Sequence, residues 1–269
     1  MLVERTLVAI VILPIAILVI ISGGWAFALT IAAVLAIAAW EFWRMVTNGG
    51  FQPSPVLLIG GAALLALLRQ QFDFAGSQIG ASALILLTMA MCTRSYELSR
   101  NQPASDFAIT LAGIFYLGWI GSYLISLRNL PDGEWWAFIA LPAAWIADMG
   151  AFFIGRQFGR HKLARRVSPN KSWEGYLGGI PFAIAGCALL AAAFQGYAPA
   201  ITPLKGAILG LVIGALAPMG DLGESMLKRQ FNVKDTSNLL PGHGGFMDRI
   251  DSTLWAAVLG YYLVVVFFV

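Results

Sequence analysis

The sequence is poor in charged residues and in cysteine. Charged side chains make up 12% of its 269 residues and hydrophobic ones 59%, and there are only 2 cysteines. A soluble globular domain has about 25% charged and 45–50% apolar residues, so the composition excludes a water-soluble enzyme and a disordered chain. Cys92 and Cys187 both lie in apolar runs, which excludes a disulfide scaffold. The net charge of +3 is small and no arginine–aromatic cluster resembles a base-stacking surface, so no nucleic-acid partner is expected.

Several familiar catalytic motifs are missing as well. The sequence has no G-x-x-x-x-G-K-[ST] phosphate loop, no H-E-x-x-H zinc helix and no C-x-x-C pair. It also has no G-x-S-x-G nucleophile elbow. Serine-triad hydrolysis and zinc-dependent proteolysis are therefore poor fits.

Apolar runs long enough to cross a bilayer recur along the chain. A transmembrane helix needs about 17–25 mostly apolar residues. The sequence predicts nine such spans, at 7–22, 25–47, 55–69, 79–93, 107–127, 135–155, 176–195, 204–222 and 253–269. The predicted fold class is therefore an all-α, polytopic integral membrane protein with about nine transmembrane helices.

Lysine and arginine are distributed unevenly between alternate loops. With nine spans, Arg69, Arg128 and Lys205 fall on one side of the membrane, and the other fourteen of the 17 basic residues share the side of the N-terminus. Cytoplasmic loops carry an excess of Lys and Arg, so we expect a cytoplasmic N-terminus and an outside C-terminus in the cytoplasmic (inner) membrane. Residues 1–130 would form the first five or so spans, and 131–269 the catalytic region, with cytoplasmic loops at 156–175 and 222–252.

Polar residues concentrate in two cytoplasmic segments, 148–175 and 220–251. Asp148 lies about 10 Å inside the end of its span, at a rise of about 1.5 Å per residue. A carboxylate at that depth is costly unless it meets a partner, a metal or water. An ion pair or hydrogen bond within the helix bundle would also satisfy it.

The second segment places carboxylates on both sides of a loop. Asp221, Ser225 and Lys228 share one face if the span continues as a helix, and Asp248 and Asp251 lie one turn apart at the start of the last span. We expect Asp221 and Asp248 to end the two helices that flank the loop. Magnesium typically takes one or two protein carboxylates together with phosphate oxygens, so this pattern favours a magnesium–nucleotide site. A salt-bridge network of these acids with Lys and Arg is the alternative.

The loop itself contains three glycines around a histidine, Gly242, His243, Gly244 and Gly245. Glycines permit positive φ and a close backbone approach to a ligand. Exposed N–H groups in such a turn can bind an anion, and His243 could donate to a phosphate oxygen or stack on a base. A histidine without a specific role is an equally good interpretation of His243 from spacing alone.

The segment from Ser225 to Asp251 resembles the signature of phosphatidate cytidylyltransferases, also called CDP-diacylglycerol synthases. The pattern is S-x-L-K-R-x4-K-D-x-S-x2-L-P-x-H-G-G-F-x-D-R-I-D, and its 27 residues show no departure from the family. The upstream residues Asp148, Gly155-Arg156 and Ser168-Pro169-Asn170-Lys171-Ser172-x-Glu174-Gly175 are also similar to that family. Residues 1–130 contribute only their hydropathy to the resemblance.

The resemblance implies a magnesium-dependent transfer of cytidylyl from CTP to phosphatidate in a membrane homodimer. It implies that the metal ligands are Asp221 and Asp248, and a potassium ion could share the acidic cluster. With Lys228 and Arg249, these two acids are the predicted catalytic residues. We expect Asp148 and Asp251 to orient these groups, and Asp251 to do so through Arg249 or a metal-bound water. The expected substrate-binding residues are Ser168, Lys171, Ser172, Glu174, Arg229, Lys234, Asp235, Gly242, His243, Gly244 and Gly245.

Two other enzymes and one transporter remain as alternatives. A CTP-dependent lipid kinase, or a cytidylyltransferase acting on another lipid phosphate, would share the metal and nucleotide chemistry. An ion-coupled transporter could use Asp148 as its intramembrane charge. Transporters usually place such groups near the midplane in paired repeats, whereas the acidic residues here lie near the cytoplasmic end and no repeat is evident.

Overall fold

Helices dominate the chain. The structure is a computed structural model that describes residues 2–98, 102–242 and 244–268. Its helices are α1 (Leu2–Ser22), α2 (Gly24–Asn48), α3 (Pro55–Glu97), α4 (Pro103–Gly113), α5 (Tyr123–Arg128), α6 (Gly133–Phe158), α7 (Trp173–Phe194), α8 (Pro203–Leu216), α9 (Pro218–Gln230) and α10 (Met247–Leu263). Two π-helical segments, Ile114–Trp119 and Val264–Phe268, continue α4 and α10. Seven long helical segments in the described residues are apolar enough to cross a membrane, so an all-α polytopic membrane protein is confirmed.

The two polar connections are shorter than the loops expected at 156–175 and 222–252. In the first, α6 runs to Phe158, and an antiparallel hairpin of β1 (Lys162–Ala164) and β2 (Ser168–Ser172) leads into α7. In the second, α9 continues to Gln230, so the expectation that Asp221 ends a helix is wrong. Asp221 lies in the first turn of α9. The i,i+4 pair of Glu224 and Lys228 stabilises this polar extension.

Helix α3 is a helical hairpin rather than one long rod. Its 43 residues would span about 65 Å at 1.5 Å per residue if they were straight. Asp73 has non-helical angles, φ 53° and ψ −142°, and a Cβ on Gly61 would lie 3.1 Å from the Leu84 side chain. The chain therefore reverses at Asp73, and its two arms contain the separate spans expected at 55–69 and 79–93.

The chain forms two compact units. Unit 1 contains Met1–Ser126 and Gln230–Arg249, and unit 2 contains Leu127–Arg229 and Ile250–Val269. The segment at 230–249, which carries most of the signature, therefore belongs with the N-terminal helices. The chain passes between the units within α5, at the last residue of α9 and within α10.

The core of unit 1 joins both arms of α3 to the helix that follows. Leu65, Ala81, Leu84 and Ile114 form a buried cluster there. Leu65 and Leu84 come from opposite arms, so the cluster depends on the reversal at Asp73. Apolar packing between the arms thus holds the hairpin closed.

Arg69 is a buried cation at the reversal of α3. Its side chain is 1% exposed, and its guanidinium carbon lies 3.7 Å from the centre of the Phe74 ring. Nε donates to Ser77 Oγ at 2.8 Å, and a terminal nitrogen donates to Ser126 Oγ at 2.8 Å. Arg69 was expected in a loop, but it is an internal anchor because the reversal encloses it.

Small residues bring the helices of unit 2 close together. A Cβ on Gly155 of α6 would lie 3.4 Å from the Cα of Gly175 on α7, and a Cβ on Gly179 would collide with the Ala147 carbonyl oxygen. Such close backbone approach is typical of packing between membrane helices. It fixes the α6–α7 pair, which carries Asp148 and ends next to β2.

Candidate functional site

Unit 2 brings three residues from different elements together. Lys171 of β2 lies with its Nζ 2.5 Å from Asp221 Oδ2 of α9. Ser225, one turn further along α9, donates its hydroxyl to Asp221 Oδ1 at 3.2 Å. Asp148 of α6 interacts electrostatically with both Lys171 and Asp221. The structure thus brings together residues of the two polar segments, although Lys171 and Asp221 are 50 positions apart in the sequence.

A second group of charges lies against the same aspartate. Asp251 of α10 lies close enough to Asp221, Glu224 and Lys228 to interact with them electrostatically. Glu224 is completely buried, and Lys228 Nζ lies 3.3 Å from its Oε1. Asp251 was expected to support Arg249 or a metal-bound water. Within unit 2 its carboxylate lies near that of Asp221, which repels it, and near the Lys228 ammonium, which attracts it.

A cavity of about 480 Å³ opens beside this charged group. Ligand pockets typically measure about 300–1,000 Å³. The polar residues that line it are Asp148, Arg156, Ser168, Asn170, Lys171 and Ser172. The apolar lining includes Ala147, Ala151, Phe152, Leu163 and Pro218. One cavity therefore offers cationic groups and an apolar wall.

Two predicted substrate-binding residues of this region hold the local backbone. Ser172 is the N-cap of α7, and its hydroxyl accepts from Gly175 N at 3.2 Å. Glu174 accepts from the backbone N–H of Arg160 at 3.1 Å and contacts His161 Nδ1 at 2.5 Å. These contacts close the hairpin onto α7. They fix the position of Lys171, which lies on β2 just before the start of α7.

Unit 1 holds Asp248, the second predicted metal ligand, at the start of α10. Asp248 Oδ2 accepts from Thr236 N at 2.9 Å, Thr236 Oγ1 at 2.8 Å and Gly245 N at 2.8 Å. The residue is 9% exposed. Three donors therefore orient this carboxylate within the segment that carries the signature.

The glycine-rich turn folds tightly in front of Asp248. Gly242 and Gly244 have φ of 72° and 82°, which is the left-handed region that glycine tolerates, and Leu240 N donates to Gly244 O at 2.9 Å. A Cβ on Gly244 would lie 2.8 Å from Asp248 Oδ2. The positive φ values expected from the sequence are confirmed at these two positions. His243 lies outside the described residues.

Sequence reasoning missed Glu41, the acid of α2 that contacts the turn. Glu41 is completely buried and accepts from Phe246 N at 3.0 Å and Met247 N at 2.7 Å. The available signal was its location, because an ionisable residue inside a membrane span marks a functional-site candidate by default. Glu224 was missed for a different reason, since it lies among many other charges of α9.

The remaining predicted charges lie on the surface. Arg229, Lys234, Asp235 and Arg249 are all exposed. The exposed cations Arg229, Lys234 and Arg249 flank the glycine-rich turn in the sequence and can reach an anionic ligand from solvent.

The donor chemistry around Asp221 suits a hard cation. Carboxylate oxygens are the ligands that magnesium prefers, and it needs only one or two from the protein. The Lys171 ammonium already occupies a cation position on Asp221 Oδ2, which shows that this oxygen accepts positive charge. Among residues 2–98, 102–242 and 244–268, no three His, Cys, Asp or Glu side chains form a ready-made metal cage. The residues therefore fit a cation completed by substrate oxygens better than an all-protein site.

Comparison with known proteins gives consistent matches along the chain. Residues 3–267 match the Cytidylyltransferase family. The chain is 34% identical over 273 residues to phosphatidate cytidylyltransferase of Bacillus subtilis (strain 168), which covers 98% of each protein. It is 36% identical to the Pseudomonas aeruginosa protein of the same name, over 97% of this chain and 99% of that one. It is 32% identical to the Synechocystis protein of that name, over 97% and 96%.

Proposed function

Because this chain belongs to the cytidylyltransferase family, we propose that it transfers cytidylyl from CTP to phosphatidate, giving CDP-diacylglycerol and pyrophosphate. The observation that carries the proposal is the similarity to phosphatidate cytidylyltransferases over 97–98% of this chain. The assembly of Asp148, Lys171 and Asp221 beside a cavity supports it.

The proposed reaction is a phosphoryl-centre substitution that needs little acid–base chemistry. A phosphate oxygen of phosphatidate attacks the α-phosphorus of CTP, a new P–O bond forms, and the bond to the β-phosphate oxygen breaks. Pyrophosphate leaves with that electron pair. The attacking phosphate is ionised near neutral pH, so the protein has to position two anions and neutralise the charge of the leaving group.

The cavity in unit 2 is the proposed site for the lipid phosphate. Lys171 and Arg156 line it and supply positive charge. Phe152, on the same wall, is 60% exposed and belongs to a helix that is apolar enough to cross a membrane. A phosphate in this cavity would thus keep its diacylglycerol part next to the bilayer. Lys228, Arg229, Lys234 and Arg249 are the proposed cations for the CTP phosphates.

We assign Asp221 and Asp248 as the proposed magnesium ligands. A bound magnesium ion would supply positive charge to the CTP phosphates and help to align them. The protein contributes the orientation of the ligands: Ser225 donates to Asp221, and Thr236 and Gly245 donate to Asp248. A potassium ion close to the same carboxylates is a further part of the proposal.

The proposed topology has nine crossings, with the N-terminus and the site in the cytoplasm. The helical hairpin of α3 and the shorter apolar helix Ile10–Ser22 support that number. The three basic residues expected outside are engaged in the fold: Arg69 is buried, Arg128 pairs with Glu134 at 3.0 Å, and Lys205 donates to two backbone carbonyls. We also propose a homodimer in the inner membrane, as the family resemblance implies.

One assay tests the proposed function directly. Purified protein in detergent is incubated with α-labelled CTP, phosphatidate and magnesium, and the lipid and water-soluble products are separated. We expect labelled CDP-diacylglycerol and pyrophosphate. Diacylglycerol in place of phosphatidate is the control, because a CTP-dependent lipid kinase would use it and release CDP. Release of CDP without a labelled liponucleotide would overturn the proposal.

A further inference from the structure

Glu41 of α2 lies beneath the segment that carries the signature. Its Oε1 accepts from Ser237 Oγ at 2.5 Å and Phe246 N at 3.0 Å. Its Oε2 accepts from Met247 N at 2.7 Å and lies 3.1 Å from Thr236 Oγ1, whose single proton is shared with Asp248 Oδ2 at 2.8 Å. Thr236 and Ser237 begin the stretch 236–247, and Phe246 and Met247 end it. The Glu41 carboxylate therefore holds both ends of this stretch.

The burial of this carboxylate is costly and specific. Glu41 is 0% exposed and belongs to an apolar helix. A buried charge is tolerated only where hydrogen bonds replace its lost hydration, and here four hydrogen-bonding contacts come from residues 236–247. A Cβ on Gly245 would lie 2.5 Å from Glu41 Oε1. The glycine is therefore needed for the segment to reach the acid.

Thr236 connects Glu41 to the proposed metal ligand. Its hydroxyl lies 3.1 Å from Glu41 Oε2 and 2.8 Å from Asp248 Oδ2. The Thr236 N–H also donates to Asp248 Oδ2 at 2.9 Å. The contact with Glu41 of α2 thus holds Thr236 in place, and Thr236 in turn orients the Asp248 carboxylate.

We propose that Glu41 is a positioning residue for the cytidylyl transfer, acting through Thr236 on the orientation of Asp248. Helix α2 then supplies part of the catalytic site although it lies outside the signature. The inference rests on the proposed function and on Asp248 as a magnesium ligand. Outer contacts of this kind typically change metal affinity or activity by about 10–100-fold.

The sharpest test changes Thr236 and leaves both acids in place. Thr236→Val keeps the shape and the backbone N–H but removes the shared hydroxyl, whereas Thr236→Ser restores it. We expect Thr236→Val to raise the magnesium concentration for half-maximal activity by about 10–100-fold, and Thr236→Ser to remain near wild type. Ser237→Ala is the matched control, because that hydroxyl donates to Glu41, whereas the Thr236 hydroxyl lies between Glu41 and Asp248. It should change the magnesium requirement much less.

Two further measurements do not depend on turnover. Hydrogen exchange of the 244–247 amides should be faster in Glu41→Gln than in wild type, since the amide nitrogen of Gln cannot accept from a backbone N–H. The rise in melting temperature on adding magnesium should be smaller in Thr236→Val than in Thr236→Ser. Both readouts still test the inference if the wild-type protein transfers no cytidylyl group.

Three results would overturn the inference. Equal magnesium requirements in Thr236→Val and Thr236→Ser would remove the link from Thr236 to Asp248. Unchanged exchange at residues 244–247 in Glu41→Gln would show that Glu41 does not hold the segment. Faster amide exchange in Glu41→Gln with an unaltered magnesium requirement would show that Glu41 only stabilises the fold.

Discussion

The Lys171 ammonium lies 2.5 Å from Asp221 Oδ2. This contact joins the hairpin after α6 to the first turn of α9, and it neutralises a carboxylate that we propose as a magnesium ligand. A cation that binds Asp221 must therefore share it with Lys171 or displace the ammonium. Displacement would leave Lys171 available to a substrate phosphate in the adjoining cavity.

This competition predicts opposite effects of Lys171→Met on two kinetic constants. The magnesium concentration for half-maximal activity should fall, because no ammonium competes for Asp221. The value of kcat/KM for phosphatidate should fall by about 10–100-fold, since a charge-assisted hydrogen bond contributes about 1.5–3 kcal/mol. Separate titrations of magnesium and phosphatidate measure the two constants. A higher magnesium requirement in the variant would contradict the competition.

The three acids of the site should respond differently to loss of charge. Asp→Asn keeps the size and one carbonyl oxygen but removes the charge that holds a hard cation. We expect Asp221→Asn and Asp248→Asn each to abolish most activity, with little recovery at high magnesium. Asp251→Asn should retain measurable activity with a magnesium requirement about 10–100-fold higher. Magnesium titrations of all three variants distinguish these outcomes, and full activity of Asp221→Asn or Asp248→Asn at ordinary magnesium would refute the assignment.

The exposed cation after the glycine-rich turn should act on the substrate and not on the fold. Arg249→Ala should lower kcat/KM for CTP by about tenfold to a hundredfold, with normal insertion and purification. Arg165→Ala and Arg166→Ala, in the turn between β1 and β2, are the controls and should have small effects. If Arg249→Ala behaves like these controls, Arg249 is an interfacial anchor.

Lys228 needs a double-mutant cycle because it also pairs with buried Glu224. Lys228→Ala should lower kcat/KM for CTP, but it also removes the partner of a completely buried carboxylate. Adding Glu224→Gln removes that charge and should restore the melting temperature without restoring kcat/KM. Recovery of both quantities in the double variant would assign Lys228 to stability alone.

The reversal at Asp73 predicts where the tip of α3 lies. With a cytoplasmic N-terminus the tip faces outward, so Asp73→Cys in a variant lacking Cys92 and Cys187 should react with a membrane-impermeant maleimide in intact cells. Arg165→Cys in the same background should react only after the membrane is opened. Labelling of position 165 from outside would overturn the proposed orientation, and protection of position 73 would contradict the hairpin as a double crossing.

Hydropathy was sufficient to predict most helices, because a helix that crosses the bilayer needs a long run of apolar residues whatever their exact sequence. The division of 55–97 into two spans was also predictable, since a single crossing cannot accommodate 43 residues. The extent of α9 was not, because Asp221 to Arg229 is polar and hydropathy alone ends the span at 222. Its continuation depends on helical pairs such as Glu224 with Lys228.

The candidate site was predictable only where its residues are close in the chain. The family resemblance identified Asp221, just ahead of the signature, and Asp248 within it as candidates, whereas the contact of Lys171 with Asp221 was not predicted. The residues near Glu41 in the sequence did not predict its contacts, because its partners Thr236 and Met247 lie 195 and 206 residues away. Ser172 is predicted as a substrate contact, and a serine before a helix is also a preferred N-cap, which is the role that the structure shows for its hydroxyl.

The long separation between Glu41 and its donors has a consequence for biogenesis. Domains generally fold in order of synthesis, N-terminal first, yet α2 leaves the ribosome about 195 residues before Thr236. The nascent chain must therefore keep the Glu41 carboxylate hydrated or engaged elsewhere while the seven further helices α3 to α9 are made. Unit 1 can reach its final structure only after residues 236–247 have been synthesised and have bound Glu41. Folding of this enzyme is therefore completed only when translation has nearly finished.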